Sequence, residues 1–432
     1  MSLRREALNA LVNITDHGAY ANLRLKKASE NLSRQDAKWL AAAVYGVLDH
    51  LLYIDYMLAH FTKGRQKPMV RGILRMGAHE LLFMHVPEAV ACNECVNLIK
   101  EIGKGALSGY VNGVMRAMAR AKDHLPALPQ EPVERLSIKY SWPQWLVREW
   151  VERFGEADAE RLLKRRPVGI SIRAQYPYTA ARLQQTLDVR GIAFSRGTLD
   201  DACFHLQEGM HILDEPLYKN GSITVQGEGA MLACRACAVR TGTRVLDACA
   251  APGGKTAYLY ALARGKADIT ALEYHAHRVR LLQSTLNRLG ARADIRRQDA
   301  TVFVEDFCEA FDVVLLDVPC SGLGVTGAKP DIRYVKTRRD IEGLCALQQK
   351  LLNTCARYVK TGGALIYASC TISFDENELQ VEGFLSRHPG FALEDLSPYF
   401  SMRDEMLKQG TIQLLPCKHH TEGFFIARLR KK

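Results

Sequence analysis

Two thiols and an acid stand where side chains can do chemistry. The stretch Phe311–Gly324, FDVVLLDVPCSGLG, runs from apolar and β-branched residues into Asp317, then Pro319, then Cys320. A continuous apolar run of this length, bounded by turn residues, reads as a strand buried on both faces, as in a parallel sheet. Asp317 then falls at the carboxyl end of a central strand, the edge of an open α/β sheet where ligands bind. Pro319 has no N–H and biases Val318 towards an extended conformation, so the chain leaves the sheet there and holds Cys320 over that edge. Cys370, in YASCT, ends the following strand pattern. A free cysteine is most often a buried packing residue. Two of them at neighbouring strand ends, beside an acid, point to nucleophilic chemistry.

The loop Cys249–Thr256, CAAPGGKT, lies between a first strand and a first helix. It is not a nucleotide P-loop, because Cys249 stands where that motif needs its leading glycine. What remains is a glycine turn whose backbone approaches a ligand closely and presents N–H groups to it. Glu273, at the end of the second strand, suits the two hydroxyls of a ribose. Asp299, after the third, is placed for an adenine edge. Acids in these positions disfavour a phosphate-rich ligand and suit a nucleoside with a cationic tail, which is S-adenosyl-L-methionine. A methyl donor beside two thiols addresses one particular problem, methylation of a pyrimidine at C5. That carbon is a poor nucleophile until a thiolate adds to C6 and turns the ring into an enamine. An acid contacting N3 assists the addition.

These residues need a sheet to carry them. From Thr243 onward, strand patterns at Arg244–Ala248, Ile269–Leu272, Asp294–Arg297, the opening stretch and Gly363–Ala368 alternate with helical ones at Thr256–Arg264, Ala276–Leu289, Glu342–Val359 and Glu376–Arg387. Alternation of this kind means βαβ units and a parallel sheet, here closed by an antiparallel pair at Thr411–Leu415 and Phe424–Leu429. Residues 1–125 read as helices throughout, at Leu3–Asp16, Asp36–Phe61, Val70–His85, Ala89–Ile102 and Ser108–Arg120. They hold 17 Lys and Arg against 11 Asp and Glu, a balance of +6 within a total of +11. A basic excess of this size fits a polyanion partner, most often nucleic acid. Residues 126–134, with Pro126, Pro129 and Pro132, read as a semi-rigid linker. Residues 135–228 read as a small α/β module, with a basic cluster at Arg161, Lys164, Arg165 and Arg166. The catalytic domain is expected over residues 229–432.

Twelve cysteines in a long chain without a secretory signal are expected to be reduced thiols in a cytoplasmic protein. The CxxC pairs Cys92/Cys95 and Cys234/Cys237 both fall in helical patterns without turn glycines, so no metal site is assigned. No apolar run is long enough to cross a membrane.

Taken together, CAAPGGKT, LLDVPCSGLGV, KPDIRY, YASCTISFDENE and EGFFIARL, in that order, resemble the Fmu/Sun family of RNA cytosine-C5 methyltransferases, in its small-subunit (16S) ribosomal RNA branch. The resemblance covers essentially the whole chain. It implies a NusB-like RNA-binding domain over residues 1–125, an RRM-like module over 135–228 and a Rossmann-like methyltransferase domain over 229–432. It further implies that Cys370 is the nucleophile, that Cys320 assists product release and that Asp317 contacts both cytosine and cofactor. Cys249, Ala250, Ala251, Pro252, Gly253, Gly254, Lys255, Glu273, Asp299 and Asp317 would then bind S-adenosyl-L-methionine. The partner implied is 16S rRNA, free or in a partly assembled small subunit, with no membrane and a monomeric enzyme. This chain departs from the usual pattern in carrying Glu273 for Asp, Lys329 for Arg or His, and Gly227 and Glu422 where the family has Asp. Alternative readings are a methyltransferase acting on tRNA or 23S rRNA, a DNA enzyme with Cys320 as nucleophile, and a non-catalytic RNA-binding or antitermination-type factor.

Overall fold

A computed structural model describes residues 2–164, 169–207 and 212–432. The chain divides into two compact units, residues 1–165 with 328–336, and residues 166–327 with 337–432. Arg165 and Arg166 of the expected basic cluster lie outside the described residues.

The first unit is helical. Its helices include Leu3–His17, Ala21–Ser29, Arg34–Asp49, Leu51–Ala59, Pro68–Leu82, Glu88–Glu101 and Ser108–Ala121. Local chemistry sets their ends. The Ser2 and Ser33 hydroxyls accept from the backbone N–H groups of Arg5 and Asp36, capping two of them, and Pro68 opens a third where no N–H is needed. The single helix expected over Asp36–Phe61 is two, broken at His50. Leu8, Leu11, Leu40, Leu48 and Ile54 are fully buried at their centre.

Two boundaries differ from the sequence expectation. The proline-rich stretch is not a free linker: Leu125 and Leu128 pack on the helical core, and Ala127 O accepts from Tyr56 Oη at 2.7 Å. The helices Pro132–Tyr140, Gln144–Phe154 and Glu156–Leu163 therefore belong to the first unit rather than to the small module. The segment Ala328–Lys336, expected in the catalytic domain, also belongs there. Arg333 forms a buried ion pair with Asp49 at 2.8 Å, Tyr334 Oη donates to Leu48 O and Ser141 O, and Asp331 Oδ2 accepts from Ala21 N at 3.0 Å.

The second unit contains two sheets. The smaller comprises β1 (Ile170–Ala174), β2 (Phe194–Arg196), β3 (Cys203–Leu206) and β4 (Ile223–Val225) in the order β2-β3-β1-β4, with the helix Ala180–Val189 between β1 and β2. All three pairings are antiparallel. This is the split β-α-β order of an RRM-like module. The larger sheet comprises β5 (Arg244–Asp247), β6 (Asp268–Glu273), β7 (Asp294–Arg297), β8 (Phe311–Asp317), β9 (Val359–Ser369), β10 (Phe391–Leu393), β11 (Thr411–Leu414) and β12 (Phe424–Lys431). Its order is β10-β12-β9-β8-β5-β6-β7, with β11 also pairing β12. Strands β5 to β9 are parallel to their neighbours and the last three pairings are antiparallel. The run Val313–Leu316 is buried at 0–2% exposure, which is why it carries no polar alternation.

Candidate active site

The chain leaves β5 towards β6 and β7 on one side and returns to β8 on the other, so β5 and β8 flank the topological switch point. Their carboxyl ends carry Asp247 and Asp317, and β9 lies beside β8 with Ala368 opposite Asp317. The three strand ends therefore deliver Cys249, Asp317, Cys320 and Cys370 to one edge, as the strand patterns predict.

After β5 the chain turns through CAAPGGKT into the helix Gly254–Leu262. Gly253 sits at φ +106, a backbone conformation that side-chain-bearing residues avoid, so the turn requires glycine. The first turn of that helix points Lys255 at the neighbouring strand, where its Nζ donates to Asp317 Oδ2 at 2.6 Å. Burial opposes the Lys255 ammonium, and the neighbouring Asp317 carboxylate more than offsets it, so the Lys255 pKa is raised. The same ammonium interacts electrostatically with Cys370 and lies 5.4 Å from the Phe424 ring centroid.

Cys320 Sγ and Cys370 Sγ are 3.3 Å apart. The hydrogen bond with Cys370, then burial, push the Cys320 pKa well up, so Cys320 is held as a neutral thiol. Cys249 is likewise kept neutral by burial. The two cysteine loops are clamped by a residue that sequence reasoning did not single out. Glu376, fully buried, accepts from Ser321 N at 2.8 Å, Ser321 Oγ at 2.5 Å and Gln348 Nε2 at 3.1 Å. Gln348 Nε2 also donates to Pro319 O, and Gly324 N to Cys370 O at 3.1 Å. Glu376 stands in the quoted DENE run between Asp375 and Glu378, and nothing in that run shows that it is the acid whose partners come from Ser321 and Gln348. Replacing Glu376 by alanine leaves several buried donors unpaired. We expect a loss of about 3 kcal/mol in stability, read as a lower denaturation midpoint, and a fall in activity from loosened thiol spacing.

On the other side of the loop, Glu273 is buried and accepts from His275 N at 2.9 Å, with Arg278 Nη1 at 3.2 Å from its second oxygen. Arg278 Nη2 also donates to Ala251 O at 2.8 Å, tying the glycine turn to the end of β6; this arginine carried no signal in the sequence. Asp299 Oδ1 accepts from the Thr301 N–H and hydroxyl, which orients it just beyond β7. Asp247 Oδ2 accepts from Thr256 Oγ1 at 2.7 Å, whereas its Oδ1 is buried without a donor. A carboxylate oxygen left unpaired at the mouth of a glycine turn is a place for a ligand's N–H. Four carboxylates at successive strand ends, with one oxygen unpaired, fit a ligand that brings a positive charge.

Burial raises the Asp247 carboxyl to about 6. The folded chain thus holds this proton more tightly than the unfolded chain, whose aspartates titrate near ~4. Its stabilising contribution is complete below about pH 4 and is lost as pH rises through about 6, at a cost of about 3 kcal/mol by neutral pH. Urea unfolding of the wild type and Asp247→Asn at pH 4, 5 and 7 should show the difference between them changing across that window in favour of the variant.

The small sheet supports this loop directly. Arg173 of β1 is fully buried, donates to Gln226 Oε1 and Gln175 Oε1 at 2.6 Å and to Gly254 O at 3.2 Å, and lies over the Tyr258 ring. Gln175 Nε2 donates to Ala257 O at 3.2 Å. On β3, His205 Nε2 meets the buried Glu228 carboxylate at 3.1 Å. The module is RRM-like in topology, but the face on which such a module stacks bases is turned inward onto the helix Gly254–Leu262. Two departures from the family pattern also meet here. A Cβ on Gly227 would collide with the Glu422 carboxylate, so the glycine makes room for the longer acid. The CxxC cysteines Cys92, Cys95, Cys234 and Cys237 are buried on helices or at a helix end.

Comparison with known proteins agrees with this architecture. Residues 235–430 match the family described as 16S rRNA methyltransferase RsmB/F, and residues 1–120 match the NusB family. The probable ribosomal RNA small subunit methyltransferase B of Bacillus subtilis is 35% identical, over 100% of this chain and 99% of that protein. The ribosomal RNA small subunit methyltransferase B of Shewanella oneidensis is 32% identical, over 100% and 99%. The crystal structure of PH0851 matches with a TM-score of 0.82 at 25% identity, covering 100% of both chains. Relatives this similar from end to end, on a fold that brings both thiols to the switch-point edge, place the chain in the 16S rRNA methyltransferase RsmB/F family.

Proposed function

We propose that the protein transfers a methyl group from S-adenosyl-L-methionine to C5 of a cytosine in 16S rRNA, through a covalent bond between Cys370 and C6. The observation that carries this reading is the pair of thiols 3.3 Å apart at the ends of β8 and β9, beside the Lys255–Asp317 ion pair. The relatives' names support the RNA substrate. The glycine turn Cys249–Lys255, Asp247, Glu273, Asp299 and Asp317 would hold the cofactor, which when bound supplies an electrophilic methyl group.

The residues divide the work by their surroundings. Cys370 lies near the Lys255 cation and acts as nucleophile, its sulfur bonding to C6 as its thiol proton is passed on to N3, so that C5 gains enamine character. Asp317, fixed by Lys255, contacts the cytosine N3 side and the cofactor. Cys320 is kept protonated and serves the later stage: the C5 proton passes to water, its electron pair closes the C5–C6 double bond, and Cys370 leaves C6 as a thiolate that accepts a hydrogen bond from the Cys320 thiol 3.3 Å away. The cytosine must be unpaired or flipped to reach this edge.

A tritiated methyl-transfer assay comparing 16S rRNA, 23S rRNA, tRNA and DNA tests the proposal. We expect label in 16S rRNA, recovered as 5-methylcytosine. Label in another nucleic acid alone, or in a different base, would overturn it, as would cofactor-independent RNA binding without transfer. Among the described residues, no helix is long and apolar enough to cross a membrane.

A further inference from the structure

The helical unit carries a concave basic surface that the catalytic chemistry does not use. The residues joining the helices Leu51–Ala59 and Pro68–Leu82 lie beside the short turn Gly105–Leu107, which leads into the helix Ser108–Ala121. Between them is a cavity of about 560 Å³ lined by Lys63, Arg65, Lys67 and Lys104, with Val70 and Tyr110 as apolar wall. No residue lining it is acidic. The chain holds no Asp or Glu from Tyr56 to His79 or from Ile102 to Lys122.

Nearby cations are spoken for: Arg71 pairs with Asp16, Arg75 with Asp55 and Lys122 with Glu88. By contrast, among the described residues Lys63, Arg65, Lys67 and Lys104 form no ion pair. A solvated charged face spreads like charges over a convex surface. Here four converge on a hollow, where low-dielectric walls focus the field and raise the local concentration of an anion. Tyr110, 38% exposed, adds a flat apolar surface to the same hollow. Repeated cations beside an aromatic face match one kind of polyanion, a single strand of nucleic acid, whose phosphates take the cations and whose base stacks on the ring.

We propose that this cavity docks an unpaired segment of the RNA substrate, with phosphates on Lys63, Arg65, Lys67 and Lys104 and a base on Tyr110. The proposal rests on the reading that the substrate is RNA, and it names the surface outside the catalytic edge that holds that substrate.

The test is equilibrium filter binding of the full chain to a 16S rRNA transcript across a KCl series, without methyl donor. Replacing Lys63, Arg65 and Lys67 together by alanine should weaken binding at least about tenfold and reduce the slope of log K against log salt by about 2, at ~0.7 per lost phosphate contact. Tyr110→Ala should weaken binding by about tenfold with the slope unchanged. In methyl transfer the variants should raise KM and leave kcat alone. Lys26→Ala/Lys27→Ala, which removes two exposed charges from the same unit, should change neither quantity. Unchanged RNA affinity in the triple variant overturns the proposal, as does an equal loss in the Lys26/Lys27 control. Retained RNA binding with lost binding to an acidic ribosomal protein would assign the cavity to protein and also overturn it. Because binding is read without methyl transfer, an inactive wild type whose RNA binding still depends on these residues would remove the catalytic reading and leave this one standing.

Discussion

Cys370→Ala should lose methyl transfer by about 10⁴-fold or more, since removing a covalent nucleophile takes away the step on which every later one depends. The neighbouring thiol does not rescue it. Cys320 is held neutral by its hydrogen bond with Cys370 and by burial, and without Cys370 it remains in a buried, acid-bordered site. Cofactor affinity should stay within about twofold, because the residues proposed to hold it sit on the glycine turn and at the ends of β5, β6, β7 and β8. The check is a single-turnover assay with labelled methyl donor, paired with calorimetric cofactor binding. A variant that keeps more than a few per cent of wild-type transfer would remove Cys370 from the nucleophile role.

Cys320→Ala should behave in the opposite sense, forming the covalent bond and failing to release it. In this variant Cys370 can still add to C6 and C5 can still be methylated. The adduct then carries both a methyl group and a proton at C5, and release requires that proton to leave as the Cys370–C6 bond breaks. With Cys320 gone from its position 3.3 Å from Cys370, the protein–RNA species accumulates. It should appear on a denaturing gel as a slow-migrating band that ribonuclease collapses and that the Cys320→Ala/Cys370→Ala double variant lacks. Free turnover without any such band would show that the release role belongs elsewhere.

The two outcomes together separate this chemistry from that of a DNA-type enzyme, in which Cys320 would be the nucleophile. There the single variants would exchange phenotypes, with Cys320→Ala inert.

Much of this site was legible because its signals are local. The apolar run ending at Asp317 specifies a doubly buried strand by composition alone, and Pro319 forces the exit that presents Cys320. Gly253 reports a turn that only glycine adopts without strain. The alternation of strand and helix patterns specifies a parallel sheet, while it is the packed sheet that sets β8 between β5 and β9. The helical periodicity of the first 125 residues was equally plain, apart from the break at His50 and the short helix Ala21–Ser29.

Other features depended on residues far apart in the chain, and no window of sequence contains both partners. Lys255 was expected among the cofactor residues, and only the packed sheet shows its ammonium committed to Asp317, 62 positions away. Glu376 draws its donors from Ser321 and Gln348. The segment Ala328–Lys336 follows the Cys320 loop in sequence yet joins the helical unit, because burying Arg333 requires the charge of Asp49, 284 residues earlier. The RRM-like sheet could be read from its strands, but not that its face is closed by Arg173 and Gln175 reaching the carbonyls of Gly254 and Ala257. By itself, then, the sequence determined the candidate reactive residues, the turns that present them and the class of sheet that carries them, since each follows from residue types and backbone preferences within a short stretch. Only the tertiary structure decided which charges neutralise each other, which acid clamps the thiols and which cations are left facing a hollow, because Coulomb and desolvation energies depend on distance and burial in space rather than on position along the chain.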